Sequence, residues 1–322
     1  MSYYEIDTGK VSLVSVTAAN AGQRLDNFLI SLLKGVPKTL VYRIVRKGEV
    51  RVNKGRAKAD TRIEEGDLVR IPPLRLPEKS TTSEVSDGLK HHLEAAILYE
   101  DEGLIAVNKP QGLAVHGGSG VSLGLIEALR KMRPSHDFLE LVHRLDRDTS
   151  GIILVAKKRP VLLGLQRMLV NKNGISKRYL ALVHGKWPAA VKEVKAPLHK
   201  FERQSGERMV VVDEEGKASH TRTELLSAGA HYSLIEAEPI TGRTHQIRVH
   251  CQFQGFSIAG DEKYSDKVQQ GIDKQNGIKR LCLHAYELSF RHPESGKNLK
   301  LIARPDDELL ATYERVGCHA TF

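Results

Sequence analysis

The chain has 322 residues, of which 40% are hydrophobic and 27% charged, and its formal net charge at neutral pH is +10. This composition is typical of a globular protein with a hydrophobic core and excludes a disordered chain, while the length predicts two domains. No apolar run reaches the roughly 18 residues that cross a bilayer, and the N-terminus lacks the regions of a secretory signal, so we expect a cytoplasmic protein without a membrane partner.

The positive charge is concentrated near the N-terminus. Residues 20–79 contain 14 Lys and Arg against 7 Asp and Glu, a balance of +7, which leaves +3 for the rest of the chain. A basic segment of this kind favours a polyanionic partner such as a nucleic acid.

The first predicted elements are two helices. Between Gly22 and Leu33 apolar residues recur at helical spacing, Gly35 ends the pattern, and Pro37 suits the first turn of a second helix. The predicted buried face of that helix consists of Leu40, Val41, Ile44 and Val45. Its exposed face carries Arg43, Arg46 and Lys47 at spacings of three and four residues. Short strands are predicted around Arg51 and from Leu68 to Ile71.

A linker is predicted next. The stretch from Pro72 to about Lys90 has several prolines, a polar run at 80–84 and no apolar periodicity. We therefore divide the chain into an extension at 1–19, a small basic domain at 20–75, a linker at 76–94 and a large domain at 95–322.

The large domain mixes strands and helices without regular alternation. Strands are predicted at Leu104–Val107, Ile152–Ala156, Tyr179–Val183, Ser233–Ala237 and Leu281–Leu288, and helices at Ser122–Met132 and Val161–Val170. This order favours an α+β domain with a mixed, largely antiparallel sheet over a doubly wound one.

The basic domain resembles an S4 RNA-binding domain. The resemblance is carried by GlyGlnArgLeuAsp at 22–26, the helix pair, ArgValAsnLys at 51–54 and GluGlyAspLeuVal at 65–69. It implies that the second helix binds structured RNA through Arg43, Arg46 and Lys47. From charge alone, an ordinary solvated basic face is an equal alternative.

The large domain resembles the catalytic domain of the large-subunit ribosomal RNA pseudouridine synthase group over most of residues 95–305. Several segments in order carry the resemblance: LysProGlnGlyLeuAlaValHis at 109–116, HisArgLeuAspArgAspThrSerGly at 143–151, LysArgTyrLeuAlaLeuValHisGly at 177–185, ThrGlyArgThrHisGlnIleArgValHis at 241–250, GlyAsp at 260–261 and LeuHisAla at 283–285. It implies an isomerase that converts uridine to pseudouridine in 23S (large-subunit) ribosomal RNA. Two positions depart from the family, where Ser257 replaces a proline and Ser265 a glycine, and they predict a less rigid turn.

The resemblance makes Asp146 the nucleophile. The reaction must hold an intermediate without water or cofactor, and a carboxylate that is ionised at neutral pH can do this. A buried carboxylate needs a cationic partner, for which we choose Arg243. Asp148 is the rival carboxylate two residues on, and its ordinary role is a loop or cap acceptor.

Three further residues are assigned to the substrate. Tyr179 matches the family's active-site tyrosine, whose ring can stack on a flipped base and whose hydroxyl can move a proton, although a structural tyrosine at a strand start is the alternative. Arg144 is a candidate for displacing the target base from its stack, or for contacting a phosphate. Leu283 is assigned to substrate binding by the resemblance.

We predict no metal and no cofactor. His143, His245, His250 and His284 could converge, but no recognised zinc pattern is present. The three cysteines are widely spaced and lack a CxxC pattern.

Two other functions remain open at this stage: a catalytically silent RNA-binding or ribosome-assembly factor, and a ribonuclease that uses His and Asp as acid and base. The HisArgLeuAsp segment and Tyr179 favour the synthase. The expected partner is large-subunit ribosomal RNA, and we expect a monomer without an obligate protein partner.

Overall fold

The computed structural model describes residues 10–33, 36, 38–74, 85–117, 123–202 and 208–319. The chain divides into two compact units, residues 1–84 and 85–322. In the described residues, no helix is both long and apolar enough to cross a membrane. The predictions for Gly35, Pro37 and residues 75–84 of the linker lie outside the described residues.

The first unit packs two helices on a four-stranded sheet of order β1-β4-β2-β3. Its elements are β1 (Ser12–Ser15), α1 (Leu25–Leu32), α2 (Lys38–Arg46), β2 (Arg51–Val52), β3 (Gly55–Arg56) and β4 (Leu68–Ile71). β1 lies in the predicted N-terminal extension and pairs with β4. Val41, Ile44 and Val45 are buried, as the periodicity predicted, whereas Leu40 of the same predicted face is half-buried.

The two helices of this unit are joined by a buried carboxylate. Asp26 of α1 accepts two hydrogen bonds from Arg24, one from the backbone of Asn27 and one from the hydroxyl of Tyr42 in α2. The hydrogen bonds from Arg24 lower the pKa of Asp26, although burial opposes them. The pairing fixes the orientation of α2 within this unit.

The second unit contains six helices and twelve strands in its described residues. The helices are α3 (Asp87–Ala95), α4 (Leu125–Met132), α5 (Arg159–Asn171), α6 (Gln246–Phe253), α7 (Lys267–Gln275) and α8 (Asp307–Arg315). The strands are β5 (Ile97–Glu100), β6 (Leu104–Lys109), β7 (Glu140–Leu141), β8 (Ser150–Ala156), β9 (Ile175–His184), β10 (Glu193–Lys195), β11 (Leu198–Glu202), β12 (Arg208–Val212), β13 (His220–Ala228), β14 (Tyr232–Pro239), β15 (Leu283–Arg291) and β16 (Asn298–Ile302).

Ten of these strands form one sheet of order β10-β13-β14-β9-β15-β8-β6-β5, in which β16 also pairs with β15 and β7 with β8. Among the described residues, the pair of β8 and β15 is parallel and the other pairs are antiparallel. β11 and β12 form a separate hairpin. The predicted α+β class with a mixed, largely antiparallel sheet is confirmed.

The sheet is buried on both faces at its centre. In β8 every residue is buried, and successive side chains pack on opposite faces of the sheet. Ile153 and Val155 pack with α4, whereas Ile152 and Leu154 pack with α5. A strand that is covered on both faces needs a continuous run of apolar residues. This explains why the sequence of β8 shows such a run and not an alternation of apolar and polar residues.

The start of β8 requires a glycine. Gly151 has a φ of +107°, and a Cβ atom there would lie 2.2 Å from the carbonyl oxygen of Ala285 in β15. Only glycine permits both this backbone conformation and this close approach. The first residues of β8 are therefore held close to β15.

Residues 85–94, which the sequence predicted as linker, belong to the second unit. Ser86 caps α3 by accepting from the backbone of Leu89, and both Val85 and Leu93 are buried in the main core. The helix is short and mostly polar, so its apolar contacts gave too weak a periodicity to be recognised.

Candidate active site

Asp146 lies on the loop between β7 and β8. Next to Asp146, Leu145 is buried in the core, and the backbone N–H of Thr149 donates to the carbonyl of Asp146 at 3.2 Å. The Asp146 side chain keeps 30% of its exposure and lines a cavity of about 700 Å³. A carboxylate on a rigid loop at a cavity wall is suited to react with a bound substrate.

The cavity is cationic. It is lined by seven Lys and Arg residues, Arg144, Arg147, Lys200, Arg248, Lys263, Lys279 and Arg280, and by four acidic ones, Asp146, Asp148, Asp261 and Glu262. The excess of cations over carboxylates favours a polyanionic substrate.

Arg248, in the first turns of α6, pairs with Asp146. Its Nη1 lies 3.3 Å from Oδ2 of Asp146, while its Nε and Nη2 donate to the two oxygens of Asp261 at 2.7 and 2.8 Å. Burial opposes the charge on Arg248, but the hydrogen bonds to Asp261 and the charges of Asp261 and Asp146 outweigh it and raise the pKa of the guanidinium. Arg248 is therefore a permanent cation beside Asp146.

Arg243, the partner chosen from the sequence, does not pair with Asp146 in the described structure. Its Nε donates to the carbonyl of Ala218 at 3.3 Å, and its side chain lines a second cavity with Lys172 and Lys195. Between the two arginines, His245 has a left-handed φ of 52° and the helix that carries Arg248 begins directly after it. The structure therefore replaces Arg243 by Arg248 as the ion-pair partner.

Lys109 supports the same loop from within the core. Its side chain is fully buried, and its Nζ donates to the carbonyls of Pro110, Leu113 and Arg147 at 2.9 to 3.0 Å. Burial lowers the pKa of Lys109 to about 7, and the charges of Asp148 and Asp146 oppose the shift. Three acceptors match the three donors of an ammonium group, so Lys109 fixes the residue that follows Asp146.

Tyr179 and Leu283 lie next to each other in the sheet and are buried. Leu283 of β15 is opposite Ala181 of β9, two residues after Tyr179, so both side chains share one face. Burial, with the charge of Asp146 adding to it, raises the pKa of the Tyr179 hydroxyl. This tyrosine is protonated at neutral pH.

Arg144 and Asp148 flank Asp146 at the cavity. Arg144 is exposed and lines the cavity, and the described residues offer it no hydrogen bond or ion pair. Asp148 accepts from the Nε of Arg147 at 3.2 Å. Arg144 is therefore available to a substrate, whereas Asp148 has a local partner, as its predicted loop role requires.

The four histidines occupy separate hydrogen-bonded positions. His143 accepts from the backbone of Leu154, His250 contacts Ser219 and Thr221, His284 contacts Ser150 and Ala303, and His245 contacts Tyr264. No group of three or more possible ligands that could hold a metal ion occurs within the described ranges.

In the first unit, the predicted cations lie on one side of α2. Arg43, Arg46 and Lys47 are exposed, and in the described part of the chain their side chains have no carboxylate partner. They remain free to bind phosphates.

Sequence reasoning missed four residues that shape the site: Lys109, Arg248, Asp261 and Tyr264. Three of them lie in the motifs quoted above, but nothing in their spacing indicates that Asp261 and Arg248 pair or that Lys109 points inward. Only the fold brings these segments together.

Two family models match the chain. The model described as RNA pseudouridylate synthase matches residues 103–253, and the S4 domain model matches residues 23–69.

Two curated relatives cover almost the whole chain. The ribosomal large subunit pseudouridine synthase C of Pasteurella multocida (strain Pm70) is 52% identical over 301 residues, 93% of this chain and 92% of the relative. The protein of the same name from Escherichia coli (strain K12) is 52% identical over 314 residues, 96% of this chain and 98% of the relative.

A solved structure is also similar. Human RNA Pseudouridylate Synthase Domain Containing 4 is 26% identical, with a TM-score of 0.59 over 71% of this chain and 95% of that one.

Proposed function

Because the chain belongs to the RNA pseudouridylate synthase family, we propose that it isomerises uridines of 23S ribosomal RNA to pseudouridine with Asp146 as the nucleophile. The relatives that match almost the full chain are named for the large ribosomal subunit, which supports this substrate. An enzyme with this substrate works where ribosomes are assembled, in the cytoplasm.

The main support for Asp146 as the nucleophile is the ion pair that its side chain makes. Arg248 contacts Oδ2 of this carboxylate, and no donor among the described residues contacts Oδ1. One oxygen is therefore stabilised by a cation while the other keeps its lone pairs for a bond to substrate. Asp148 lacks this arrangement, because Arg147 contacts it instead.

In this proposal no cofactor takes part in the isomerisation. The bond between N1 of uracil and C1′ of ribose breaks and the base turns. C5 then bonds to C1′ and releases its proton, while N1 takes up a proton, so that the product is an isomer of the substrate. Asp146 holds the intermediate covalently, and Arg248 stabilises the carboxylate when it is released. Tyr179, whose pKa is raised by burial and by the charge of Asp146, stays protonated, so its hydroxyl can donate a hydrogen bond during the proton movement.

Arg144 is proposed to help bring the target base to Asp146. A uridine in folded RNA must leave its stack, at a cost of a few kcal/mol that contacts in the cavity offset. Arg144 has an exposed guanidinium at the cavity wall, two residues before the nucleophile. This group can stack on the bases next to the displaced uridine or pair with a phosphate of the RNA.

Arg43, Arg46 and Lys47 are proposed to bind the same RNA at a distance from the chemistry. Their exposure on α2 supports this role, and the S4 match covers this helix.

The test compares Asp146→Asn with Asp148→Asn. Both changes replace a carboxylate by an amide at the same loop. We expect Asp146→Asn to reduce tritium release from 5-tritiated uridine in ribosomal RNA to background, with folding and RNA affinity near wild type. Asp148→Asn should keep substantial activity and leave the RNA at full length, which separates an isomerase from a ribonuclease. An active Asp146→Asn beside an inactive Asp148→Asn would falsify the assignment.

A further inference from the structure

His245 stands between the nucleophile and a buried tyrosine. Its Nε2 lies 3.8 Å from Oδ2 of Asp146, and its Nδ1 lies 2.6 Å from the hydroxyl oxygen of Tyr264. The backbone of His245 has a φ of 52°, a left-handed conformation that is uncommon for a residue other than glycine. Such a conformation persists where the surroundings impose it, and it turns this imidazole toward the carboxylate.

The hydrogen bonds around His245 favour one tautomer. The backbone N–H of Val210 donates to the Tyr264 hydroxyl at 3.2 Å, so the hydroxyl's own proton is free to be donated to Nδ1 of His245. A neutral imidazole that accepts at Nδ1 carries its proton on Nε2. That proton faces Asp146.

The neutral form of His245 is favoured. Burial lowers its pKa, and the charges of Arg248 and Lys263 lower it further, while Asp146 and Asp261 oppose the shift. An imidazolium carries a proton on Nδ1 and therefore cannot accept the hydrogen bond from the Tyr264 hydroxyl.

Tyr264 is held on every side. Its ring lies 5.0 Å from the guanidinium carbon of Arg248 and meets the His245 ring edge-on at 5.5 Å. Its backbone N–H donates to Asp261, and its carbonyl accepts from the hydroxyl of Ser257. The serine at position 257, which predicted a less rigid turn, thus ties this tyrosine in place.

We propose that His245, fixed as its Nε2–H tautomer by Tyr264, is a positioning residue that holds Oδ2 of Asp146 together with Arg248. This inference rests on the proposed function. Both donors approach the same oxygen, so Oδ1 is the atom that attacks the substrate. The separation of 3.8 Å is longer than a hydrogen bond. We expect the two groups to approach when substrate fills the cavity, as catalytic hydrogen bonds often tighten only in the complex.

The experiment uses Tyr264→Phe and His245→Asn in the full-length protein. Tyr264→Phe removes only the hydroxyl and keeps the ring under Arg248. Asparagine tolerates the left-handed backbone at position 245 and removes the imidazole. Single-turnover rates of pseudouridine formation are measured on a ribosomal RNA substrate between pH 5 and pH 9, with RNA affinity determined by filter binding.

For Tyr264→Phe we expect a rate about tenfold lower at pH 8, the size that corresponds to one lost hydrogen bond near a reacting group, with unchanged RNA affinity. The acidic limb of its pH profile should move to higher pH, since the neutral imidazole loses the donor at Nδ1. A purely structural role would lower the rate equally at every pH. The groups facing His245 that could also titrate are Asp146, Asp261 and Lys263, and all are retained in this variant.

His245→Asn should lose the acidic limb of the wild-type profile. In this background, the further change Tyr264→Phe should have little additional effect, because both act through the same contact. Tyr286→Phe is the matched control: its hydroxyl donates to Glu236, outside the cavity, and it should match wild type in rate and pH profile.

If the wild-type enzyme is active and Tyr264→Phe keeps both its rate and its pH profile, the inference about His245 is wrong while the proposed function stands. Additive losses of rate in the double variant would have the same meaning. A wild-type protein that forms no pseudouridine would overturn the proposed function together with it. If Tyr264→Phe fails to fold, the presence or absence of the acidic limb in His245→Asn decides the matter.

Discussion

The guanidinium of Arg248 joins two carboxylates, with Nη1 at 3.3 Å from Oδ2 of Asp146 and both Nε and Nη2 on Asp261. Asp261 is fully buried and also accepts from the backbone of Lys263 and Tyr264. The position of the cation beside Asp146 is therefore set by the turn at residue 261. Only the planar fork of arginine can make both contacts at once.

Arg248→Lys should lower the rate of pseudouridine formation by about 100-fold or more, the usual loss when one preorganised donor of an active site is removed. Lysine keeps the charge but cannot hold both oxygens of Asp261 and reach Asp146. Single-turnover kinetics with enzyme in excess would measure the loss of rate separately from RNA binding.

Arg243→Lys is the control for this change, five residues earlier in the same motif. The structure places Arg243 against the carbonyl of Ala218, so we expect a much smaller loss of rate. A loss at Arg243 as large as that at Arg248 would instead support the sequence-based choice of Arg243.

Lys109→Met should destabilise the protein by about 3 kcal/mol or more, since three buried carbonyls lose their donor. It should also lower the rate, because the carbonyl of Arg147 follows Asp146 directly and would no longer be held. Urea unfolding followed by the fluorescence of Trp187, which is buried in the core of the second unit, measures the stability.

Lys90→Met makes the same chemical change at an exposed position of α3, where the lysine pairs with the exposed Asp87. We expect a stability within about 0.5 kcal/mol of wild type, as for most surface substitutions. Equal losses in the two variants would show that the contacts of Lys109 add nothing.

The sequence predicted the sheet well where the strands are buried on both faces. The apolar run of β8 could be recognised from the sequence, because continuous burial leaves a direct mark on composition. The predicted segments also overlap β9, β14 and β15, whose buried parts are apolar. The helix α3 was missed for the opposite reason: one buried leucine, Leu93, carries most of its packing.

Within the site, the motifs selected Asp146 and Arg144, which line the cavity, but they led to Arg243 as the ion-pair partner where the structure has Arg248. The choice depends on the left-handed backbone of His245 and on the placement of Asp261, thirteen residues beyond Arg248. Neither is encoded in a local pattern. The pairing is a property of the fold.

A protein of residues 85–322 should keep the chemistry but bind RNA more weakly, with a flatter dependence of log affinity on log salt. The start at residue 85 matters, because Val85 and Leu93 belong to the core of this unit. Filter binding across a series of salt concentrations measures the slope. An unchanged slope would contradict a role of the first unit in RNA binding.

The full chain with Arg43, Arg46 and Lys47 all changed to Ala is the companion to that truncation. Each phosphate contact that is lost should reduce the salt slope by about one. A triple variant with the wild-type slope, beside a truncation with a flatter one, would place the phosphate contacts elsewhere in the first unit.

The final prediction concerns acid sensitivity and rests on His284. Its Nε2 contacts the carbonyl of Ala303 and its Nδ1 the hydroxyl of Ser150, which suits a neutral imidazole, and burial lowers its pKa to about 4. In the unfolded chain a histidine has a pKa of about 6.5, so between these values the unfolded state binds a proton that the folded state does not. As far as His284 is concerned, the free energy of unfolding should therefore be constant above pH 6.5. It should fall as the pH drops from 6.5 to 4 and show no further loss below pH 4.

The variant His284→Gln should be less stable than wild type at neutral pH. Its free energy of unfolding should depend less steeply on pH in this window, by about one proton. The exposed His231 provides the control His231→Gln. Urea titrations followed by Trp187 fluorescence at each pH from 4 to 8 measure how the free energy of unfolding depends on pH. If that dependence is the same in His284→Gln as in wild type, His284 is not the residue that takes up the proton.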